Sequence, residues 1–192
     1  MPNWCNNELF IQTDLPPGNL LPHELASLEN GRAWKQLQEV NKCLEEDTKK
    51  SDKDKRILGF QNFVHSEQNE DWYENNVSNW GTKWNITCWN AVLLEEKHDR
   101  EVSAFFDTAW SPPLNFVKNM SKKYPDLVIG IQYAEWGMDF GGFAVYRKGE
   151  VVENKDWSIY DILTNSEKYV DDDTDNHWEL YDEIKDDVTN YM

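Results

Sequence analysis

A chain of 192 residues is long enough to bury a core of its own and fits one domain, or one domain with an appendage. Nineteen basic against 36 acidic residues give a net charge of −17, which argues against a protein that grips phosphate backbones through Lys/Arg clusters. Ten Trp, eight Tyr and eight Phe are too many aromatics for a disordered chain, even at an apolar fraction of 39%. No apolar run reaches the roughly 18 to 20 residues of a membrane crossing, and Met1-Pro2-Asn3-Trp4-Cys5 lacks the basic-then-apolar pattern of a secretion signal. A cytoplasmic protein is expected. Cys5, Cys43 and Cys88 are far apart and odd in number, which suits reduced thiols used as small packing groups better than a disulfide framework or a closed metal site.

In chain order, alternation predicts a strand over Asn7 to Thr13, ended by Leu15-Pro16-Pro17-Gly18. Leu25, Leu28, Ala33, Leu37, Val40 and Leu44 recur at helical spacing between Glu24 and Asp47, with Gly31 as a weak point. Glu45 to Arg56 carries ten charged side chains in twelve positions and is expected to be a solvated excursion. Ile57 to Val64 is expected as a short strand or extended connection, and Asp71 to Trp80 as a short helix. The β-branched and aromatic residues of Ile86 to Leu94 and Glu101 to Thr108 predict a hairpin across a charged turn at Glu95 to Arg100. Ser111 as N-cap and Pro112 as first helical residue predict a helix to about Tyr124, stopped by Pro125. Leu127 to Glu135 alternates cleanly, and Phe143 to Arg147 provides its partner after a glycine-bearing turn at Gly137 to Gly142.

The resulting βαββαβ order predicts an α+β, ferredoxin-like sandwich, an antiparallel sheet with helices on one face. From Glu150 onward the composition shifts to fourteen acidic against three basic residues. Residues 1–149 are therefore expected to form the ferredoxin-like domain, with 45–56 as its charged excursion, and 150–192 an acidic C-terminal extension. Within the extension, Asp156 is expected to cap a short helix with Ile159, Ile162 and Leu163 inward, and Leu180, Ile184 and Val188 mark a terminal amphipathic helix.

Four ordered blocks, Met1 to Asn7, Asn79 to Asn85 (Asn-Trp-Gly-Thr-Lys-Trp-Asn), Thr108 to Pro113 (Thr-Ala-Trp-Ser-Pro-Pro) and Tyr133 to Gly142 (Tyr-Ala-Glu-Trp-Gly-Met-Asp-Phe-Gly-Gly), resemble the YubB-type ferredoxin-like domain family of phage, prophage and plasmid proteins. The resemblance covers about residues 1 to 150 and implies the same fold reached from element order. It implies no reaction, ligand or catalytic residue. The chain departs from the family pattern at Leu58 to Val64, where an Ile-Pro-Met-Pro-like stretch is expected.

The blocks hold the candidate site residues Trp80, Lys83, Trp84, Asn85, Asp107, Trp110, Glu135, Trp136 and Asp139. Trp80 to Asn85 contains a glycine and a lysine but lacks the G-x-x-x-x-G-K-[ST] spacing that wraps a phosphate, so a tight turn at Gly81, with Trp80 and Trp84 packed on the sheet edge and Lys83 exposed, is favoured. At Thr108 to Pro113 a strand-to-helix junction anchored by Trp110 is favoured over an anion site, because two prolines remove N–H donors. Glu135 and Asp139 flank a glycine-rich turn whose glycines are expected to take positive φ; joined by Asp107 and neutralised by Lys83, they would make a carboxylate site for acid–base work or a cation. The four histidines show no metal-type spacing, three cysteines cannot ligate an iron–sulfur cluster, and no nucleophile elbow or dinucleotide fingerprint is present.

No enzyme, metal or cofactor is expected. The preferred expectation is a non-enzymatic interaction module of a mobile genetic element, engaging a host protein through an acidic surface that in its sharpest form mimics DNA and inhibits a defence system. Nucleic acid and membrane are not expected as partners, and the oligomeric state is not set by the sequence. The alternative is a small-ligand or RNA/nucleotide-binding domain using a cleft between the Trp80 to Asn85 loop and the Glu135 to Gly142 hairpin, in which exposed aromatics stack on bases.

Overall fold

A computed structural model describes residues 3–13, 31–48, 59–86, 91–98 and 101–161. Strand β1, Trp4–Thr13, is followed by helix α1, Gly31–Thr48, a single turn α2, Phe60–Phe63, and helix α3, Trp72–Trp80. The hairpin β2, Ala91–His98, and β3, Glu101–Ala109, leads to helix α4, Leu114–Lys123, then to β4, Leu127–Glu135, β5, Phe140–Arg147, and β6, Glu150–Trp157. All pairings are antiparallel, in the order β2-β3-β1-β4-β5-β6. The first four of these positions reproduce the ferredoxin-like arrangement, in which β1 lies between the second and third segments that follow it in the sheet. The protein is therefore an α+β, ferredoxin-like fold with two strands added beyond β4.

One face of the sheet carries the main core. Cys5, Leu9 and Ile11 of β1, Val102, Ala104 and Phe106 of β3, and Leu127, Ile129, Ile131 and Tyr133 of β4 meet Ala33, Leu37 and Val40 of α1 and Phe116, Val117 and Met120 of α4. Phe60 fills the centre, its ring 4.3 Å from Phe116 and 5.7 Å from both Trp80 and Phe106. Such offset and edge contacts between buried rings add to simple area burial. The opposite face is closed at its centre as well: Glu8, Phe10, Ser103 and Gln132 are all fully buried.

Several local expectations are corrected. Of Ile57 to Val64, expected to be a strand or extended connection, residues 59–64 are described, and within them Phe60–Phe63 is helical, because Phe60 and Phe63 on one turn both reach the core. Helix α4 begins at Leu114 with Pro113 at its N-cap position, and Ser111 does not cap it; the Ser111 hydroxyl donates to Gly81 O instead, at 2.8 Å. The β4–β5 turn takes positive φ at Asp139, 55°, and not at its glycines, while Gly141 and Gly142 lie inside β5. The boundary expected after residue 149 falls inside a hairpin, since Lys148 and Gly149, both with positive φ, form a two-residue connection into β6. The sheet thus runs on to Trp157. Asp156 is a strand residue, and it is Ser158 whose hydroxyl oxygen accepts the Asp161 N–H as the next helical turn starts. The expected Leu180 to Val188 helix, the tail beyond 161, residues 49–56 of the charged excursion and Cys88 lie outside the described residues.

Candidate aromatic contact site

The site is built where β1 begins, β3 ends and α3 hands over to the 81–86 segment. Gly81 ends α3 in the left-handed region, φ 84°, a conformation that costs a side-chain-bearing residue strain. Three side-chain bonds then pin the segment: Thr82 Oγ1 donates to Ala109 O at the end of β3 at 3.1 Å, Ser111 Oγ beyond β3 donates to Gly81 O, and Asn76 Nδ2 of α3 donates to Lys83 O at 2.9 Å. Buried Asn76 is itself fixed, its oxygen accepting from Ser66 Oγ and Gln68 Nε2. Below them, Asn7 Nδ2 reaches Cys5 O, Phe106 O and Thr108 Oγ1, and Thr108 Oγ1 donates to Ser111 O at 2.7 Å. Buried polar groups matched this closely fix one geometry.

Trp110 stands at φ 67°, with Ser111 N–H donating to Ala109 O across it and its own N–H donating to Asn3 O. A positive φ under an i to i+2 bond is the strained form of the γ-turn, and a bulky residue holds it only when its surroundings dictate it. The consequence is an indole turned outward, 45% exposed, in contact with the Trp84 ring at 6.1 Å and 30°. Trp84, 39% exposed, also meets Trp4, 43% exposed, at 6.3 Å. Lys83 Nζ lies 4.7 Å from the Trp84 ring centre, 5.0 Å from Trp110 and 6.0 Å from Tyr73 of α3. Trp84 thus touches both Trp4 and Trp110, with the ammonium over Trp84 and Trp110, and exposed indoles of this kind are the residues on which binding energy concentrates at protein surfaces.

The nine sequence candidates divide. Lys83, Trp84 and Trp110 come together. Trp80 does not pack on the sheet edge: it is buried in the core with its Nε1–H donating to Val64 O at 2.8 Å. Lys83 is not a free surface cation, because its ammonium lies over the rings. Asn85 Oδ1 is buried without a hydrogen-bond partner among the described residues, and Trp136 is exposed on the β4–β5 turn.

The carboxylates do not converge. Asp107 lies on the sheet face opposite the helices and accepts from Asn6 Nδ2 at 2.7 Å, whereas Glu135 follows Tyr133 onto the helix face, where one oxygen accepts Gly137 N–H. Asp139 is engaged elsewhere, accepting from Ser158 Oγ and Tyr160 N–H; the Tyr160 bond, then the Ser158 bond, hold its carboxyl below the ordinary value. Among the described residues no three His, Cys, Asp or Glu side chains gather as a metal site would require, and no helix is long and apolar enough to cross a membrane. Cys5 is a protonated thiol: burial, reinforced by Glu135, pushes it up to about 12.

Trp4 and Tyr73 belong to the cluster and were not singled out in the sequence. Trp4 enters because β1 starts three residues before the predicted strand, which pairs it with Ala109 beside Trp110. Tyr73 enters through the packing of α3 on α4, which no local pattern encodes.

No curated protein matches the chain. Among solved structures, the chain is similar to protein api92 from Yersinia pseudotuberculosis, with a TM-score of 0.49 and 10% identity over 82% of this chain and 99% of that one. Residues 88–182 match the family model described as a ferredoxin-like domain in Api92-like protein, which agrees with the ferredoxin-like part of the sequence resemblance; a YubB-type phage and plasmid family is not confirmed by it.

Proposed function

We propose that the protein is a non-enzymatic binding module that docks a basic protein partner on the Trp4, Trp84, Trp110 and Lys83 surface. The carrying observation is the trio of exposed, touching indoles held by buried polar bonds and, at Trp110, by a strained backbone. Exposed large aromatics on a rigid frame lose little entropy when covered, which makes them efficient anchors. The net charge of −17 draws a positively charged partner over long range. In its finer form this is an accessory protein of a mobile genetic element acting on a host protein, its carboxylates standing in for phosphates. That form rests on the sequence resemblance and on the concentration of acidic residues after Glu150.

The test compares wild type with Trp110→Ala in pull-downs at low and high salt, with the captured protein identified and its affinity measured. A stoichiometric, salt-sensitive partner of basic charge whose binding weakens by about 2 kcal/mol, roughly 30-fold, on truncating Trp110 supports the reading. Binding that ignores both salt and Trp110 removes it. A second reading, stacking of nucleobases on Trp84 and Trp110, draws on the same exposed rings and adjacent lysine; single-stranded RNA and nucleotides titrated against the same pair of proteins decide it, tight RNA binding displacing the protein-partner reading.

A further inference from the structure

Three rings face one point at this surface, and the chain's own cation occupies it. Lys83 Nζ lies within about 6 Å of the ring centres of Tyr73, Trp84 and Trp110, the range over which an aromatic quadrupole attracts positive charge. Among the described residues no carboxylate forms an ion pair with this ammonium; the rings are its counterpart. The three rings come from different elements: α3, the 81–86 segment and the residue after β3. The bonds to Gly81 O and Ala109 O and the turn at Trp110 anchor the backbone that carries Trp84 and Trp110, and the Asn76 bond to Lys83 O ties that segment to α3, which carries Tyr73; none of these bonds uses the Lys83 side chain.

We propose that Tyr73, Trp84 and Trp110 form an aromatic cage for an organic cation, an alkylammonium or guanidinium group, which Lys83 occupies from within until an incoming cation displaces it. The proposal rests on the reading of this surface as the contact site and names what it recognises. The rings are 42%, 39% and 45% exposed for Tyr73, Trp84 and Trp110, so an incoming group reaches their faces without unfolding anything. A weakly hydrated guanidinium or methylated ammonium gains more from indole faces than a strongly hydrated primary ammonium does, and Lys83 swings away on its four-carbon stem. The charge of the chain raises the local concentration of cations of either source, a side chain of a basic protein or a free quaternary ammonium.

The full chain is titrated with tetramethylammonium chloride and with the blocked tripeptide Gly-Arg-Gly, against sodium chloride of equal ionic strength, while the Trp84 and Trp110 indole N–H resonances are followed. Lys83→Gln removes the ammonium and, with a shorter neutral side chain, empties the cage. This variant is expected to bind the better probe about fivefold more tightly than wild type, with shifts centred on the two indoles, and adding Trp110→Ala is expected to abolish the gain. Preference for the peptide points to a protein source and preference for tetramethylammonium to a free quaternary ammonium; either supports the cage. Equal affinity in wild type and a folded Lys83→Gln protein overturns it. Independently of any variant, the Lys83 ε-methylene protons of wild type are expected upfield under the ring currents and to relax toward random-coil positions at saturating probe; unshifted protons also overturn it. Partner capture that needs Trp110 without any cation effect would remove the cage alone. Cation binding without a Trp110-dependent partner would remove the protein-docking reading alone.

Discussion

Trp110 concentrates the tension between folding and exposure in one residue. Its φ of 67° costs an L-residue about 1–2 kcal/mol, and the indole it turns outward is nearly half exposed. Trp110→Gly is therefore expected to unfold at higher urea than Trp110→Ala, by about 1 kcal/mol, although both lose the same ring; equal midpoints would mean the backbone is relaxed there. Gly142 shows the opposite constraint, lack of space. A Cβ there would stand 2.5 Å from Tyr133 Oη and 2.7 Å from Lys155 O, and the Tyr133 hydroxyl is committed to Asp156. Gly142→Ala is expected to cost about 2 kcal/mol in equilibrium unfolding, because one of the two crowding atoms is backbone and cannot swing aside. The glycine cluster was visible in the sequence, but its purpose was not: alternation marks a turn after Glu135, while only the pairing of Gly142 with Asp156 shows that two of the glycines make room for side chains.

The elements that were legible are those whose periodicity reports burial on one side. Leu127, Ile129, Ile131 and Tyr133 alternate because one face of β4 is core, and the observed strand ends at Glu135 as that pattern predicts. Helix α3 was legible from its glycine stop. By contrast, β6 reads Glu-Val-Val-Glu-Asn-Lys-Asp-Trp, mostly exposed, and an edge strand of that composition carries no alternation to detect. Its turn, Lys148-Gly149, uses lysine where the commonest signal is asparagine, so the hairpin passed as a composition change. The same limit hid the separation of Asp107 from Glu135, since strand parity relative to the helices follows from register alone. Asp139 links the β4–β5 turn to the residues after β6 through Ser158 and Tyr160. Asp139→Ala is expected to expose the chain after Trp157 to limited proteolysis, whereas Asp139→Asn, which tolerates positive φ and keeps an acceptor oxygen, is expected to resist cleavage more nearly as wild type does; identical digestion patterns for all three would refute the tether.

At the scale of the whole molecule, burial has raised four proton-releasing groups among the described residues. Cys5 moves from an ordinary 9.0 to about 12, mainly by burial and then by Glu135; Tyr124, Tyr133 and Tyr146 are also raised, burial leading in each. A folded-state value above the unfolded one means that the protonated form is favoured by folding. The associated stability is whole below about pH 9 and drains away as the pH rises from there through 12 and beyond, first through the thiol and then through the phenols. The urea midpoint is expected to fall steeply from pH 9 upward, and Cys5→Ala is expected to make that fall shallower between 9 and 12; a flat midpoint up to pH 11 would contradict the burial of these groups.

The added β5–β6 hairpin also sets where the molecule tolerates being cut. A fragment stopped at Gly149, the place where composition suggests a seam, would lose the row of backbone partners along β5 and bare Phe143 and Val145, which Trp157 now shields. Such a truncation is a recipe for sticky, self-templating sheets rather than a tidy minimal domain, so shortened versions should keep the chain at least through Asp161.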